Sequence, residues 1–362
     1  MMPMRTAVPR RRAALTTTAA LTGAAALLLA GCSADAGSDA DAGGTVTLIV
    51  HDSFPNEAFA EAASAATGYD VEVVGSGDGG ELANQLVLTQ GAPLGDAFFG
   101  VDQIFASRVV DADVAEDYVP EGLPEDAAAL AVDGSDALVP IDRGATCFNI
   151  DPVWFADQGI AAPETYEDLL KPEYRELTVI LDPAASSTGA SFLVGTVAYF
   201  GADAYADYWS DLVENGARVE QGWSDAYYGQ FTQGGEGGTR PIVLSYSSSP
   251  AATIADDGSS TSAALLDTCS SQVEYAGVLE GAENPEGARA VVDYLLSGEF
   301  QDTIAETMYM YPVDPEASVP EEWEQFAPLP EEPHDLPSDE IAAGLTDWQK
   351  AVADAVAGAA AG

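Results

Sequence analysis

The chain has 362 residues and carries 60 acidic side chains against 12 lysines and arginines, a formal charge of −48. So negative a surface excludes nucleic acid and anionic membrane as partners and concentrates soluble cations around the protein. The acids are spread along the chain from Asp35 onward rather than gathered in one block, a pattern that adaptation to salt would also produce.

Met1 to Gly31 starts basic (Arg5, Arg10, Arg11, Arg12), is apolar from Ala13 to Ala30 and ends in small residues, which describes an export signal. Leu29-Ala30-Gly31-Cys32 resembles a bacterial lipobox, so cleavage before Cys32 and a lipid on its thiol are expected. That lipid would hold the protein on the outer face of the cytoplasmic membrane. Arg10-Arg11 also permits twin-arginine export. Residues 32–44 are small, acidic and glycine-rich and read as a disordered tether. Cleavage leaves 331 residues with all the acids and eight bases, enough for two domains with cores of their own. Cys147 and Cys269 are then an even pair outside the cytoplasm, for which a disulfide is expected.

The body of the chain alternates short strands with helices, the pattern of an α/β protein. Thr45 to Val50 reads as a strand ending at His51-Asp52-Ser53-Phe54, and Asn56 to Thr67 as a helix closed by Gly68. Val71 to Val74 is the next strand. Gly75, Gly77 and Gly80 after it match the spacing of a dinucleotide fingerprint, but on the second strand of the unit rather than the first, and in an exported chain. The better reading is close backbone approach to a ligand, with Asp78 at the helix start. Asp96 to Val101 is a buried strand, followed by a helix over Asp102 to Val109. Leu138 to Asp142 leads into Thr146 to Ile150, the first passage between two lobes. Pro163 to Leu170 opens a helix, Leu177 to Leu181 is a strand, and a helix begins near Ser187 to Gly189, with free N–H groups suited to a phosphate or other oxygen-rich group. Val273 to Leu279 returns the chain to the first lobe. An amphipathic helix over Asn284 to Ser297, the aromatic run Met308 to Val313 and a terminal helix over Ile341 to Val356 complete it. The expected division is 45–141 for the first lobe, 142–274 for the second and 275–362 for the return.

The stretch Gly222 to Pro250 packs Trp223, Tyr227, Tyr228 and Tyr246 together with Asp225 and the hydroxyls of Ser245 and Ser247 to Ser249. Aromatic faces next to acids suit a flat cation. Val243 to Tyr246 reads as a strand whose end would lie where ligands bind in open α/β sheets. The chain has two histidines, of which His334 falls in a proline- and glutamate-rich loop, so no Ser-His-Asp pairing is supported. No enzyme activity, cofactor or structural metal is expected. A monomeric binding protein that closes around its ligand is.

These residues resemble the thiamine-binding proteins of ABC importers. His51-Asp52-Ser53-Phe54, Gly77-Asp78-Gly79, Phe98 to Asp102, Asp182-Pro183 with Ser186 to Gly189, Gly222 to Tyr227, Leu244 to Pro250 and Met310 to Val313 carry the resemblance, which runs from about Thr45 to Trp348. It implies a two-lobed type II periplasmic-binding-protein fold, each lobe a mixed sheet flanked by helices. It also implies thiamine or its phosphates as ligand, and a membrane permease with its cytoplasmic ATPase as partners. By position, Trp223 and Tyr246 would face the ligand's rings, Asp78 and Gly79 its polar edge, and Ser186 and Ser187 its hydroxyethyl or phosphate end. Asp52, Asp78 or Asp225 would supply countercharge, with His51, Tyr227 and Tyr309 completing the site. The enteric members have tyrosines where His51, Arg143 and Ala252 stand and tryptophans at or near Tyr309 and Ala58, so part of the aromatic cage is replaced. Ferric-ion-binding proteins share the architecture, and Tyr227, Tyr228 and His51 are the residues an iron site would use. A polyamine is a third ligand that such a cleft would suit.

Overall fold

The structure, a computed structural model, describes residues 43–132, 134–235 and 237–361. The signal segment and Cys32 lie outside the described residues. The strands are β1 (Thr45–Val50), β2 (Asp70–Gly75), β3 (Ala97–Asp102), β4 (Val139–Ile150), β5 (Thr178–Leu181), β6 (Arg218–Glu220), β7 (Ile242–Tyr246), β8 (Ala263–Ala264), β9 (Ser270–Val278) and β10 (Tyr311–Pro312). They form a sheet in the order β2-β1-β3-β9-β4-β7-β5-β6, with β8 and β10 paired to β4.

Two parallel triplets make up most of the sheet. β1 runs parallel to β2 and β3, and β5 runs parallel to β6 and β7. The long strands β4 and β9 join them. β9 is antiparallel to β3 and to the first half of β4, while the second half of β4, from Thr146 to Ile150, pairs with β7. One strand thus passes from one half of the molecule to the other. Helices cover the faces, as parallel strands require. Phe59 and Phe300 pack edge to face at 5.1 Å over Val46, Leu48 and Val50, and Phe192 lies on Trp209 at 4.7 Å beneath the second triplet. The cysteines are joined: Cys147 on β4 and Cys269 just before β9 form a buried disulfide.

Local chemistry sets the boundaries. The helix Asn56–Thr67 stops at Gly68, whose φ of 77° lies in the left-handed region. The helix expected from Pro163 reduces to one 3-10 turn, Glu167–Leu170. Pro172 forces Lys171 into extended backbone there, and the Asp168 carboxylate accepts from the N–H groups of Glu164 and Thr165 instead. The helix expected from Asp102 begins only at Ala106, because Asp102 ends β3 and its carboxylate accepts from Ile104 and Phe105. Helices over Tyr205–Glu214, Trp223–Gln230 and Gly298–Met308 go beyond the sequence reading.

Candidate ligand-binding site

Both triplets turn the C-terminal ends of their strands toward one place. His51 to Phe54 follow β1, Gly77 and Asp78 follow β2, and Asp102 ends β3; Asp182 to Ser186 follow β5, Gly222 follows β6, and Ser247 to Ser249 follow β7. Loops at these ends are free to carry function because the strands behind them are fixed by their ladders.

Asp78 ties the two halves together. As N-cap of the helix Gly79–Leu88, it accepts from the N–H of Gly79 at 2.7 Å. The same carboxylate accepts from Ser187 N–H at 3.3 Å and from Trp223 N–H at 2.9 Å, the first residues of two helices of the other half. Three helix N-termini with their positive dipole ends thus converge on one anion. The glycines beside it serve this approach. A side chain at Gly80 would begin 2.7 Å from the carbonyl oxygens of Ala184 and Ala185, and one at Gly79 would strike the Ser187 hydroxyl. Gly80 thus meets the backbone of the opposite half, and Gly79 the side chain of its Ser187.

Beside this junction lies a cavity of about 230 Å³. One wall is Trp223, its ring 5.9 Å from Tyr246, 6.4 Å from Tyr309 and 5.2 Å from Tyr228. The indole is fixed from behind: Nε1 donates to Ser245 Oγ at 2.8 Å, and the ring stacks on Tyr227 at 4.9 Å and 15°. Tyr309 ends the helix Gly298–Met308 with φ 59°, a conformation uncommon for a side chain of its size, and the Ser248 hydroxyl donates to its carbonyl. Thr307, Met308 and Met310 flank it, and Ser53 and Ser224 close the rim with their hydroxyls 3.4 Å apart.

The facing wall is acidic. Asp52 and Glu274 line it with His51, and the lining contains, among the described residues, no lysine or arginine. His51 Nε2 stands 3.9 Å from Glu274 Oε2. Asp142 on β4 is the register partner of Glu274 on β9, and burial together with the neighbouring Glu274 charge holds its carboxyl well above the usual range. Burial raises Glu274 as well. The phenol of Tyr246 is pushed up by burial and by the nearby Glu274 and Asp78. An aromatic wall opposite carboxylates binds an organic cation with an apolar body.

The expected site residues fall into three groups. His51, Asp52, Trp223, Tyr246 and Tyr309 line the cavity. Asp78, Gly79, Ser186 and Ser187 lie at the junction beside it: Asp78 is engaged by backbone N–H groups, and Ser186 is a fully buried N-cap. Tyr227 backs Trp223 with its hydroxyl buried, and Asp225 is exposed and outside the lining. Sequence reasoning left out Glu274, Ser53, Ser224, Thr307, Met308 and Met310. A signal for Glu274 existed, since an acid inside the apolar strand Val273 to Leu279 is unusual for a purely structural position.

Two parallel strand groups joined by a pair of long crossing strands, with a small-molecule cavity where their ends meet, define a two-lobed substrate-binding protein of the type II periplasmic fold. The profile of the bacterial extracellular solute-binding proteins matches residues 93–332, and the chain belongs to that family, one of solute-binding proteins rather than of enzymes. It is 26% identical to the thiamine-binding periplasmic protein of Escherichia coli strain K12 over 328 residues, covering 85% of this chain and 93% of that protein. It is 28% identical over 316 residues to the thiamine-binding periplasmic protein of Brucella suis biovar 1, covering 84% and 90%. Among solved structures, a periplasmic thiamin binding protein superposes with a TM-score of 0.75 at 24% identity, covering 86% of this chain and 96% of that one. The apo ferric ion-binding protein A of Pasteurella haemolytica shares the fold at a TM-score of 0.66 and 16% identity, covering 86% and 97%.

Proposed function

We propose that this chain captures thiamine outside the cytoplasm and delivers it to the permease of an ABC importer driven by a cytoplasmic ATPase. The observation that carries this reading is the cavity itself, an aromatic wall led by Trp223 facing Asp52 and Glu274. A thiazolium is a permanent cation, and each aromatic face attracts one by about 0.5 to 2 kcal/mol, more when water is excluded. Curated relatives named for thiamine, aligned over more than four fifths of the chain, support the same ligand. The protein is anchored by a lipid on Cys32 after removal of residues 1–31, and it works as a monomer. Thiamine phosphates bind more weakly than thiamine, because among the described residues no lysine or arginine lines the cavity and Asp78 already engages the N–H groups of Ser187 and Trp223.

Tryptophan fluorescence of the purified protein, titrated with thiamine and then with its phosphates, tests this. Saturable quenching at or below about micromolar thiamine is expected, a binding free energy of about −8 kcal/mol. Absence of any response, with a phenolate-to-iron colour band on adding ferric citrate, would move the site to His51, Tyr227 and Tyr228. The geometry disfavours that outcome. Tyr227 is buried against Trp223 and lies outside the cavity lining, so its phenol is not offered to an ion beside Tyr228.

The two lobes, residues 45–141 with 275–362 and residues 142–274, open and close by rotation about β4 and β9, and Asp78 is the clasp of the closed form. Hydrogen bonds to a charged group are worth about 1.5 to 3 kcal/mol each. Asp78→Ala is therefore expected to shift the ligand-free protein toward the open form, seen as a larger radius of gyration in small-angle scattering. An unchanged radius would mean that the halves meet without its help.

A further inference from the structure

Three carboxylates stand side by side across the strands that join the two halves. Asp102 on β3 is the register partner of Glu274 on β9, and Glu274 is the register partner of Asp142 on β4. Asp102 and Asp142 are fully buried, and Glu274 is 5% exposed at the cavity wall. Both oxygens of Asp142 and one of Asp102 lack any hydrogen-bond partner, although a buried ionised carboxylate needs several. Gln272 Nε2 donates to Glu274 Oε1 at 3.0 Å, and His51 faces Glu274 from β1 at 3.9 Å. Asp78 adds negative charge from the junction, Asp52 lines the same cavity wall as Glu274, and the phenols of Tyr246 near Glu274 and Tyr275 near Asp102 are further titratable neighbours. Arg143, next along β4, is exposed, and among the described residues no ion pair to Asp142 is formed.

We propose that capture of the cationic ligand is coupled to release of a proton from this row, held between Asp142 and Glu274 in the ligand-free protein and passed to solvent when the ligand's positive charge takes its place beside Glu274. This rests on the cationic ligand proposed above and goes beyond it, making Asp142 a positioning residue that acts through Glu274. Two adjoining buried carboxylates are not both ionised without a cation, so one carries a proton. Burial raises both, the neighbouring Glu274 charge raises Asp142 further, and burial with a contribution from the Glu274 charge pushes Asp102 up to about 7. A fixed positive charge in the cavity lowers the affinity of the pair for that proton. The proton leaves to water, and the row gains one negative charge to match the ligand's positive one. The sign follows: acid competes with the ligand, so affinity falls as pH falls, by at most about tenfold per pH unit for one proton.

Calorimetric titration of the protein with thiamine at pH 7, in buffers of different ionisation enthalpy, counts the protons released. The expected count is about one half to one per ligand, falling close to zero in Asp142→Asn and persisting in His51→Gln. The Asp142→Asn variant, checked for folding by circular dichroism, should also show a flattened dependence of affinity on pH, which a merely structural role would not produce. Glu274→Gln serves as a second variant should Asp142→Asn fail to fold, with the same loss of proton release expected. Thiamine binding with a heat independent of buffer overturns the coupling and leaves the ligand assignment intact. Release that persists in Asp142→Asn but disappears in His51→Gln overturns it in favour of the histidine. No binding of thiamine in any buffer overturns the ligand assignment, and the coupling falls with it.

Discussion

Trp223→Ala is expected to weaken thiamine binding by at least about tenfold, or 1.4 kcal/mol. The indole forms the wall of the cavity and is held flat by its hydrogen bond to Ser245 Oγ and by Tyr227 stacked behind it. Such support fixes the ring before the ligand arrives, so little ordering cost is left for binding. Truncation removes the cation–π face and frees Tyr227 to collapse into the space. It also lowers stability, since a large buried side chain replaced by alanine costs about 3 to 5 kcal/mol, so affinity is compared below the variant's unfolding temperature. Trp223→Phe separates the roles. It keeps an aromatic face and loses the N–H, and an intermediate affinity is expected from fluorescence-independent titration calorimetry. Near-normal affinity in Trp223→Ala would return the indole to a packing role.

Replacing both Cys147 and Cys269 with alanine is expected to destabilise the protein by up to about 4 to 5 kcal/mol, the loop-closure value for a cross-link between residues 122 apart. The bond lies where β4 and β9 part, just past the register pair Thr146 and Ser270. It therefore ties the two strands that join the halves of the molecule. Both sulfurs are buried, so reductant should reach them only through unfolding. Chemical denaturation with and without reductant tests this: the wild-type midpoint should fall under reducing conditions and the double variant's should not move. A difference below about 1 kcal/mol would mean that the unfolded chain is not constrained by this bond.

The sequence by itself determined what depends on neighbours along the chain. Strand and helix chemistry fixed β1, the helix Asn56–Thr67 and its glycine stop, since each rests on local periodicity and a local breaker. Five of the expected residues, His51, Asp52, Trp223, Tyr246 and Tyr309, line the cavity; Trp223 and Tyr246 stood out as part of an aromatic cluster and His51 and Asp52 by their place at a strand end, whereas Tyr309 came from the resemblance. The tertiary structure alone decided what depends on register and close approach. Asp102, Glu274 and Asp142 are far apart in the chain and become neighbours only through the pairing of β3, β9 and β4, and no periodicity encodes which strand lies beside which. Asp78 reads locally as a helix cap, which it is, yet its other oxygen finds Trp223 from the opposite half, 145 residues on. Tyr227 and Trp223 differ by one helical turn in a single short helix, and only the packing of that helix places one ring in the cavity and the other behind it. Composition and short-range pattern specify which groups are available, whereas sheet order, carried by hydrogen bonds between distant segments, specifies which of them share a wall.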